Sequence, residues 1–282
     1  MAVASQIRRF QQDLTCTWTA MPASQALRWY AAVLRHLPAV LRERKFYAAD
    51  AEMRGTMRFR AMGRTIVIEG VDAAAGCGYA FLRELFVRQV YFRGFTSLRF
   101  DTCLDLGFNI GVVASTLRQL AGPQGRVIGV DALSYDESGF RDRVLRTSGI
   151  TFHHGVLYSA ETHHSAEALA AICAHYRFDI SLAISIEELL QRYSLQHIDF
   201  LKLDIEGAEF GIFRDDLSWL ARVDNLAMEV HATSGNPEEI IQRLQKAGFA
   251  VSWVDGNGYR ASPQQAGYIY ASRVGSLRDT LR

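Results

Sequence analysis

One segment of the chain, residues 101–117, constrains the fold more than any other. Its sequence, DTCLDLGFNIGVVASTL, has a mostly apolar run around Asp105, then Gly107 and Gly111 four positions apart, and then the apolar spacing of an amphipathic helix. A buried strand that turns through glycines into a helix brings backbone N–H groups close to a bound ligand. The segment therefore predicts an α/β fold with a ligand site at the end of this strand.

The glycine spacing favours one class of cofactor. An acid at the strand end, followed by glycines four positions apart, is the loop expected for S-adenosylmethionine. A dinucleotide loop, G-x-G-x-x-G, fits less well, because its later glycines fall on Asn109 and on Ile110 or Val112. It also serves a pyrophosphate, which S-adenosylmethionine lacks. From this motif alone, a tight strand–helix turn in some other α/β protein remains the alternative.

Three later segments repeat the pattern of a buried strand that ends in polar residues. Arg126–Asp131 reads RVIGVD, Ile198–Glu209 reads IDFLKLDIEGAE and Leu226–His231 reads LAMEVH. Asp131 lies 26 residues after Asp105, where folds of this kind place the carboxylate that binds a ribose diol. Since the carboxyl ends of parallel strands meet at one edge of an open sheet, we expect these polar residues to form one ligand-binding edge.

Together these motifs resemble the FkbM-type family of S-adenosylmethionine-dependent methyltransferases. The resemblance is carried by DLGFNIG, VIGVD, the block from ISIEELL to IDFLKLDIEGAE, and MEVH, within the span from Tyr79 to Phe249. The chain departs from the family pattern at Phe108, where Ala is frequent, and at Asp131-Ala132, where Glu-Pro is usual. The acid that often follows the third strand is not evident in GVLYSAETHHS.

The resemblance implies an α/β, Rossmann-like class I methyltransferase with a mostly parallel seven-stranded sheet and S-adenosylmethionine as its cofactor. It also implies which residues bind that cofactor, most of them at the ends of the first, second and fourth strands. The expected cofactor-binding residues are Glu84, Asp105, Gly107, Phe108, Asn109, Gly111, Asp131, Ala132 and Asp204. For Glu84, in the helix before the first of these strands, a solvated helix face is an equal alternative.

His231 is the first candidate for a catalytic base. It ends the fifth strand, where acceptor and cofactor are expected to meet, and the ordinary pKa of histidine is about 6.5. Asp204 and Glu206, at the end of the fourth strand, are the next candidates. A structural hydrogen-bond role for His231 is the alternative. Glu209 is expected only to favour the positive end of its helix, and Glu229 is too far along the strand to be assumed to orient the histidine.

Metal binding is not expected. Asp204, Glu206 and His231 form a set that a divalent ion accepts chemically, but the resemblance does not require one. The adjacent pairs His153-His154 and His163-His164 are poor chelating sites, because neighbouring residues on a strand point to opposite faces. We expect both pairs at the surface or at an edge of the sheet.

Charge balance, apolar runs and cysteine content exclude several classes of protein. The chain has 31 Lys and Arg against 30 Asp and Glu, which argues against a dedicated nucleic-acid-binding protein. The basic runs at 42–45 and 54–64 are expected to be solvated faces. No apolar run approaches the ~20 residues that span a bilayer, and no apolar region follows Arg8 and Arg9, so we expect no membrane association and no signal peptide. The four scattered cysteines favour the reducing cytoplasm, and assembly into a homo-oligomer stays open.

The chain divides into an N-terminal extension, residues 1–78, and a methyltransferase domain, residues 79–282. Residues 1–45 are predicted to be helical and broken or kinked at Pro38. A hairpin is predicted for Met57–Met62 and Thr65–Glu69, with Gly63-Arg64 as its turn. The helical spacing in the extension rests on Leu27, Tyr30, Leu34, Leu37 and Leu41.

Two further expectations concern packing around the predicted site. Tyr79–Phe92 is predicted to be a single amphipathic helix before the first strand of the sheet. The extension is expected to cover the acceptor site, with Trp18, Trp29 and Tyr30 as candidate lining residues. The alternative is that these aromatic residues only pack the extension onto the core or onto a second subunit.

The predicted activity is O-methylation of a hydroxyl group on a small-molecule acceptor, such as a sugar or a polyketide-type product, as the resemblance implies. Methylation of an amino-acid or peptide nitrogen is the nearest alternative. A methyltransferase fold that only binds or scaffolds is another, which the intact Gly107, Gly111, Asp131 and Asp204 disfavour. An NAD-dependent oxidoreductase is a third, and the absent third glycine disfavours it.

Overall fold

The computed structural model describes residues 2–132, 139–147, 149–158 and 182–278. Seven of the strands in this part of the chain form a central sheet, two longer ones form a separate antiparallel hairpin, and two short ones form a parallel pair. The strands are β1 Gly55–Ala61, β2 Arg64–Val71, β3 Thr102–Leu106, β4 Arg126–Asp131, β5 Ile150–His154, β6 Val156–Leu157, β7 Ala183–Ile184, β8 Ile198–Leu203, β9 Val223–Glu229, β10 Ala250–Val254 and β11 Tyr268–Ser272.

The helices lie before, between and after these strands. They are α1 Ala2–Ala20, α2 Ala23–Arg35, α3 Leu37–Glu43, α4 Tyr47–Asp50, α5 Tyr79–Leu82, α6 Val112–Ala121, α7 Phe140–Leu145, α8 Ile186–Arg192, α9 Glu209–Arg214 and α10 Pro237–Lys246. Short 3₁₀ turns occupy Ala73–Ala75, Ser218–Arg222 and Pro263–Gln265. In the described part of the chain, no helix combines the length and the apolar composition that crossing a bilayer requires.

The central sheet has seven strands in the order β10-β11-β9-β8-β3-β4-β5. The pairs from β9 through β8, β3 and β4 to β5 are parallel, whereas β11 runs antiparallel to both β9 and β10. The chain moves outward from β3 to β5 and then crosses to β8, on the other side of β3. The predicted seven-stranded, mostly parallel α/β fold is therefore confirmed, and its switch point lies between β3 and β8.

The sheet is buried on both faces, as its near-continuous apolar strands predict. Alternate residues enter separate hydrophobic clusters: Cys103 and Phe200 lie in one, and Leu104 and Leu201 lie in the other. The first cluster also contains the large side chains of the N-terminal extension. The second is closed by helices on the opposite face.

Helix starts and ends follow the predicted signals. Ser185 and Glu188 form a capping box at α8, with each side chain bonded to the backbone N–H of the other residue. Asn236 caps α10 through Glu238 N–H at 3.1 Å, and Pro237 occupies the first turn. Gly122 follows the last turn of α6 with φ 78°, a conformation open to glycine.

The predicted hairpin forms, with its turn one residue earlier than expected. Met62 and Gly63 are the turn residues, both at positive φ, and Arg64 pairs with Ala61 as part of β2. Two consecutive positive-φ residues are typical of the type I′ turn, whose twist matches that of the strands. A one-residue shift of the turn therefore sets the register of the whole hairpin.

The single helix predicted for Tyr79–Phe92 is wrong. The α-helical part ends at Leu82, a π-helical turn covers Arg83–Val87, and Gln89 at φ 53° ends the element. The π turn is closed by a hydrogen bond from Arg88 N–H to the Arg83 carbonyl. Arg83 begins this wider turn, and its side chain is buried against two carboxylates.

In α2 and α3 the leucine pattern does not mark the buried face. Ala26, Trp29, Val33 and Val40 are buried, and the leucines at 27, 34 and 41 point to solvent. Trp29 is completely buried and its indole N–H donates to Asp50 Oδ1 at 2.9 Å. Trp29 is therefore a core residue of the extension and cannot line a pocket for the acceptor.

A buried ion network joins the extension to the segment before β3. Arg83 contacts Asp13 of α1 and, at 2.8 Å, Asp50 of α4. Arg88 also binds Asp13, at 2.7 Å. All three buried partners of this network are no more than 6% exposed. The first hydrophobic cluster also contains residues of both parts, so the extension and the methyltransferase domain share one core. The boundary at residue 78 stays a prediction from the sequence.

The first prediction concerns this network. Arg83→Ala leaves two carboxylates buried without their counter-charge, which costs about 3–5 kcal/mol. Urea unfolding should therefore show the free energy of unfolding lowered by this amount. Arg99→Ala is the matched control, because Arg99 is 79% exposed, and it should change stability by less than about 0.5 kcal/mol. Equal effects of the two variants would contradict a structural role for the network.

Candidate functional site

The carboxyl ends of β3 and β8 touch at the switch point of the sheet. Asp204 N–H donates to the Leu106 carbonyl at 3.0 Å, which extends the ladder one residue beyond the strands. Gly107 has φ 84°, and a β-carbon there would lie 1.7 Å from the Asp204 carbonyl oxygen. Only glycine allows this approach of the two strand ends. The predicted loop residue Gly107 is thus also required by the fold.

The loop after β3 is held by its own hydrogen bonds. Gly107 and Phe108 N–H both donate to the Val130 carbonyl, and Gly111 N–H donates to the Phe108 carbonyl. Asn109, at φ 50°, donates its N–H to Asp131 Oδ2 at 2.6 Å. Because these N–H groups are bonded internally, this stretch of the loop does not form a nest of donors for a pyrophosphate.

Phe108 points into the core. Its ring lies 5.1 Å from the Phe152 ring, and a β-carbon at Gly129 would lie 2.0 Å from it. The glycine in VIGVD therefore makes room for the phenyl ring that replaces the usual small residue. Arg141 lies over the Phe152 ring and donates Nε–H to the Asn109 carbonyl at 2.7 Å. Any contact between Phe108 and a ligand at this edge is left to its backbone.

Asp105 lies beneath the site and is completely buried. Lys202 Nζ is 3.2 Å from Asp105 Oδ1 and donates to the carbonyls of Leu106 and Gly107. Burial raises the pKa of Asp105 to about 6, although the Lys202 ammonium opposes the rise. Asp105 therefore reaches the loop through Lys202, whereas the prediction gave it direct contact with a cofactor. Lys202 is visible in the sequence, two residues before the predicted Asp204, but residue spacing does not show that it pairs with Asp105 on another strand.

The end of β4 carries the second predicted part of the site. Asp131 is half-buried beside the loop, and the Ala132 carbonyl lies 3.0 Å from His154 Nε2. His153 and His154 lie on β5, the edge strand of the sheet, and contact different partners, as predicted. A cavity of about 380 Å³ borders this pair. His163-His164 lies outside the described residues.

Acidic side chains converge at the end of β8. Tyr91 O–H donates to Asp204 Oδ2 at 2.8 Å, and Asp204 Oδ1 lies 4.0 Å from His231 Nε2. Glu206 Oε2 is 3.3 Å from the same nitrogen, and the Glu206 backbone takes φ 55°. Left-handed backbone is uncommon for a residue with a β-carbon. The predicted trio of Asp204, Glu206 and His231 is therefore assembled in one place, at the carboxyl edge of the sheet.

His231 is oriented by Glu209, which the sequence analysis assigned only to the helix dipole. Glu209 is completely buried, and its Oε1 accepts both the His231 backbone N–H, at 2.7 Å, and a contact from ring Nδ1, at 3.0 Å. Its other oxygen accepts Gly207 N–H at 2.8 Å. The carboxylate therefore fixes the ring and directs Nε2 towards Asp204 and Glu206. In the sequence, the only signal for this role was an acid two residues after Gly207.

This environment stabilises the protonated imidazole. The hydrogen bond to Glu209 is the main cause that raises the pKa of His231 to about 9. The negative charges of Glu209, Glu206 and Asp204 act in the same direction, and partial burial of the ring opposes them. His231 is therefore a stronger base than an ordinary histidine, with a smaller unprotonated fraction at neutral pH.

Two more acids lie close to the cluster. Burial raises the pKa of Glu229 to about 7, and the charges of Asp204 and Glu84 add to the rise. Glu84 also binds Arg9 at 3.0 Å and Arg88 at 3.2 Å. Glu84 is thus electrostatically coupled to Glu229 and is tied to the extension as well, and its contact with a cofactor stays a prediction. The edge is acidic overall and suited to a cationic ligand.

The model of the methyltransferase FkbM domain matches residues 105–251, slightly more than half of the chain. No curated protein sequence matches significantly.

Solved structures align with this chain at low sequence identity. Aeropyrum pernix fibrillarin, in complex with natively bound S-adenosyl-L-methionine, is 18% identical over 77% of this chain and 82% of that chain, with a TM-score of 0.39. A SAM-dependent methyltransferase from Aquifex aeolicus is 15% identical over 62% of this chain and 82% of its own, with a TM-score of 0.33.

The second prediction tests the His231–Glu209 pair. Titration of the His231 ring protons by NMR should give a pKa of about 9. Glu209→Gln removes the carboxylate that stabilises the charged ring, so the pKa should fall towards about 6.5. Glu206→Gln is the matched control: it removes a charge that is 75% exposed and should lower the pKa by less. If the two variants shift the pKa equally, the buried hydrogen bond is not the main cause.

Proposed function

The chain belongs to the FkbM family of S-adenosylmethionine-dependent methyltransferases, and on this premise we propose that it O-methylates a hydroxyl group of a small-molecule acceptor. The observation that carries the proposal is the His231–Glu209 pair at the carboxyl edge of the sheet. A hydroxyl must lose its proton as the methyl group arrives, and this pair is built to accept one. A sugar or polyketide-type product in the cytoplasm is the acceptor class that we favour.

The residues of the edge fit S-adenosylmethionine. Gly107 and Gly111 give the loop its positive-φ backbone, the internally bonded loop does not suit a pyrophosphate, and Asp131 at the end of β4 offers a carboxylate to a ribose diol. Asp204, Glu229 and Glu84 supply the negative charge that a sulfonium and an ammonium group require. When bound, the cofactor supplies an electrophilic methyl group and a neutral leaving group.

His231 accepts the acceptor's proton at Nε2. With Nδ1–H donated to the Glu209 carboxylate, the unprotonated ring keeps its lone pair on Nε2, which faces Asp204 and Glu206. Once the proton has moved, Glu209 stabilises the imidazolium. Asp204, held by Tyr91, and Glu206 are placed to orient the hydroxyl group beside that nitrogen.

Asp204, Glu206 and His231 could also bind a divalent ion, since they offer ligand atoms within 4.8 Å of one another. The base mechanism needs the Nε2 lone pair, which an ion at that position would occupy. We therefore propose that the reaction requires no metal. Turnover that survives exhaustive chelation supports this, and turnover restored only by added Mg²⁺ or Mn²⁺ contradicts it.

The third prediction concerns cofactor binding. Asp131→Ala removes the acceptor for the ribose hydroxyls, and since a charge-assisted hydrogen bond is worth about 1.5–3 kcal/mol, affinity for S-adenosylhomocysteine should fall about 10- to 150-fold. Calorimetry measures this directly. Asp131→Asn retains an acceptor for Asn109 N–H and should lose less.

Asp101→Ala, at the opposite end of β3 and 63% exposed, is the control and should bind like wild type. A wild-type protein that responds to NAD and not to S-adenosylhomocysteine or S-adenosylmethionine would overturn the assignment. Unchanged affinity in folded Asp131→Ala would move the ribose site elsewhere.

The fourth prediction concerns turnover. His231→Gln should lower methyl transfer to a hydroxyl acceptor by about 10²–10⁴-fold and leave cofactor affinity nearly intact. Because the unprotonated ring is the base, the wild-type rate should rise with pH up to about 9, the raised pKa of His231. Glu209→Gln should move this rise to lower pH. Labelled S-adenosylmethionine with a panel of alcohols, phenols and amines provides the assay.

His197→Gln is the matched control, because His197 is exposed and precedes β8 at the opposite end of the strand. It should retain the wild-type rate. Two outcomes would contradict the proposal: a His231→Gln variant with most of the activity, or a product that carries the new methyl group on nitrogen. Cofactor binding without turnover of any acceptor would favour the non-catalytic alternative.

A further inference from the structure

The extension contains a short repeat that the proposed function does not use. In ALRWYAAVLRHLPAVLRERK a leucine followed by an arginine recurs every seven residues, at Leu27-Arg28, Leu34-Arg35 and Leu41-Arg42. Residues seven apart lie on one face of a helix. The repeat therefore predicts a continuous stripe of leucines with a row of guanidinium groups beside it.

The stripe faces solvent. Leu27 is 58% exposed, Leu34 is 69% exposed and Leu41 is 63% exposed, although each occupies a helix. Seven large apolar side chains are exposed in the described part of the chain, and of these only Val274 lies outside the extension. The other six form the set Trp18, Leu27, Leu34, Leu37, Leu41 and Tyr47. We call this set the apolar stripe; its concentration in one segment sets it apart from scattered surface leucines.

The surroundings of the stripe are basic. Between residues 23 and 47 there are five cations and a single acid, Glu43. All five cations are exposed: Arg28, Arg35, Arg42, Arg44 and Lys45. Glu43 pairs with Arg42 and Glu52 with Arg35 at the surface. The excess positive charge therefore comes from Arg28, Arg44 and Lys45, which are open to solvent.

We propose that the apolar stripe docks on an anionic phospholipid surface. Leucine and tryptophan side chains enter the boundary between headgroups and acyl chains, while neighbouring arginines bind lipid phosphates. This departs from the expectation from sequence, which treated the basic runs as solvated faces and predicted no membrane association. The mode is peripheral, and it does not depend on the reaction that the sheet edge catalyses.

Two observations favour a bilayer over other occupants. A second copy joined by two-fold symmetry would bring the same excess of positive charge to the contact, which is repulsive. A rigid partner helix would need a straight stripe, but α2 ends at Arg35 and α3 begins at Leu37, with Pro38 as its second residue. A fluid bilayer accommodates this break and supplies negative charge along the whole stripe.

Vesicle binding of the full-length protein tests the proposal. Wild type should sediment with vesicles of phosphatidylcholine mixed with phosphatidylglycerol, and weakly with phosphatidylcholine alone. High salt should weaken binding by screening the charges. Replacing Arg28, Arg35 and Arg42 together by Gln should weaken it about 100-fold, at about fivefold per arginine. Replacing Leu27, Leu34 and Leu41 together by Gln should weaken it by about tenfold or more.

The controls separate docking from general loss of structure. Val274→Gln changes a side chain that is 57% exposed outside the stripe and should bind like wild type. Trp18 should shift its fluorescence to the blue on vesicle addition, and Trp18→Phe should abolish the shift. Wild type that binds neither vesicle type overturns the proposal. So does a concentration-dependent dimer that the leucine substitutions dissociate while vesicle binding is absent, since the occupant is then a second copy.

Discussion

The buried ammonium of Lys202 is the interaction on which the site depends. It comes from β8 and contacts Asp105 of β3, the carbonyls after that strand and, at 3.8 Å, Asp204. Without it, β3 would carry an uncompensated carboxylate in the middle of the sheet, which is strongly unfavourable. The same contact fixes the two strand ends against each other at the switch point, so that the Gly107 loop and the acidic cluster form a single edge.

The edge has two sides with different chemical roles: the loop after β3 and the acidic cluster around His231. The loop side is closed by its own hydrogen bonds, and Asn109 is held there through its N–H by Asp131 and through its carbonyl by Arg141. The cluster side has an excess of negative charge around His231, whose ring is held by Glu209. The loop side provides a rigid backbone and the carboxylate of Asp131 for a ribose, while the cluster side provides negative charge and His231 as a base. This division suits a cationic methyl donor next to a hydroxyl that must be deprotonated.

Much of the fold followed from sequence because each signal is local. The strand–glycine–helix segment at 101–117, the acid at Asp131 and the caps at Ser185 and Asn236 need no long-range information. The Glu209–His231 contact spans 22 residues and two elements, and periodicity does not report such a pairing. The buried position of the Phe108 ring could not be read from spacing, because Gly129, on another strand, makes room for it. In α2 both faces carry apolar residues, so spacing alone could not tell which face packs.

A crystal structure with S-adenosylhomocysteine would test the central claim most directly. The account predicts ribose hydroxyls within hydrogen-bond distance of Asp131 and the sulfur near Asp204, with His231 Nε2 facing the space beside that sulfur. A ligand seated instead in the cavity beside His153 and His154, with the Gly107–Gly111 loop untouched, would contradict it. So would a sulfur placed too far from His231 for an acceptor hydroxyl to reach both.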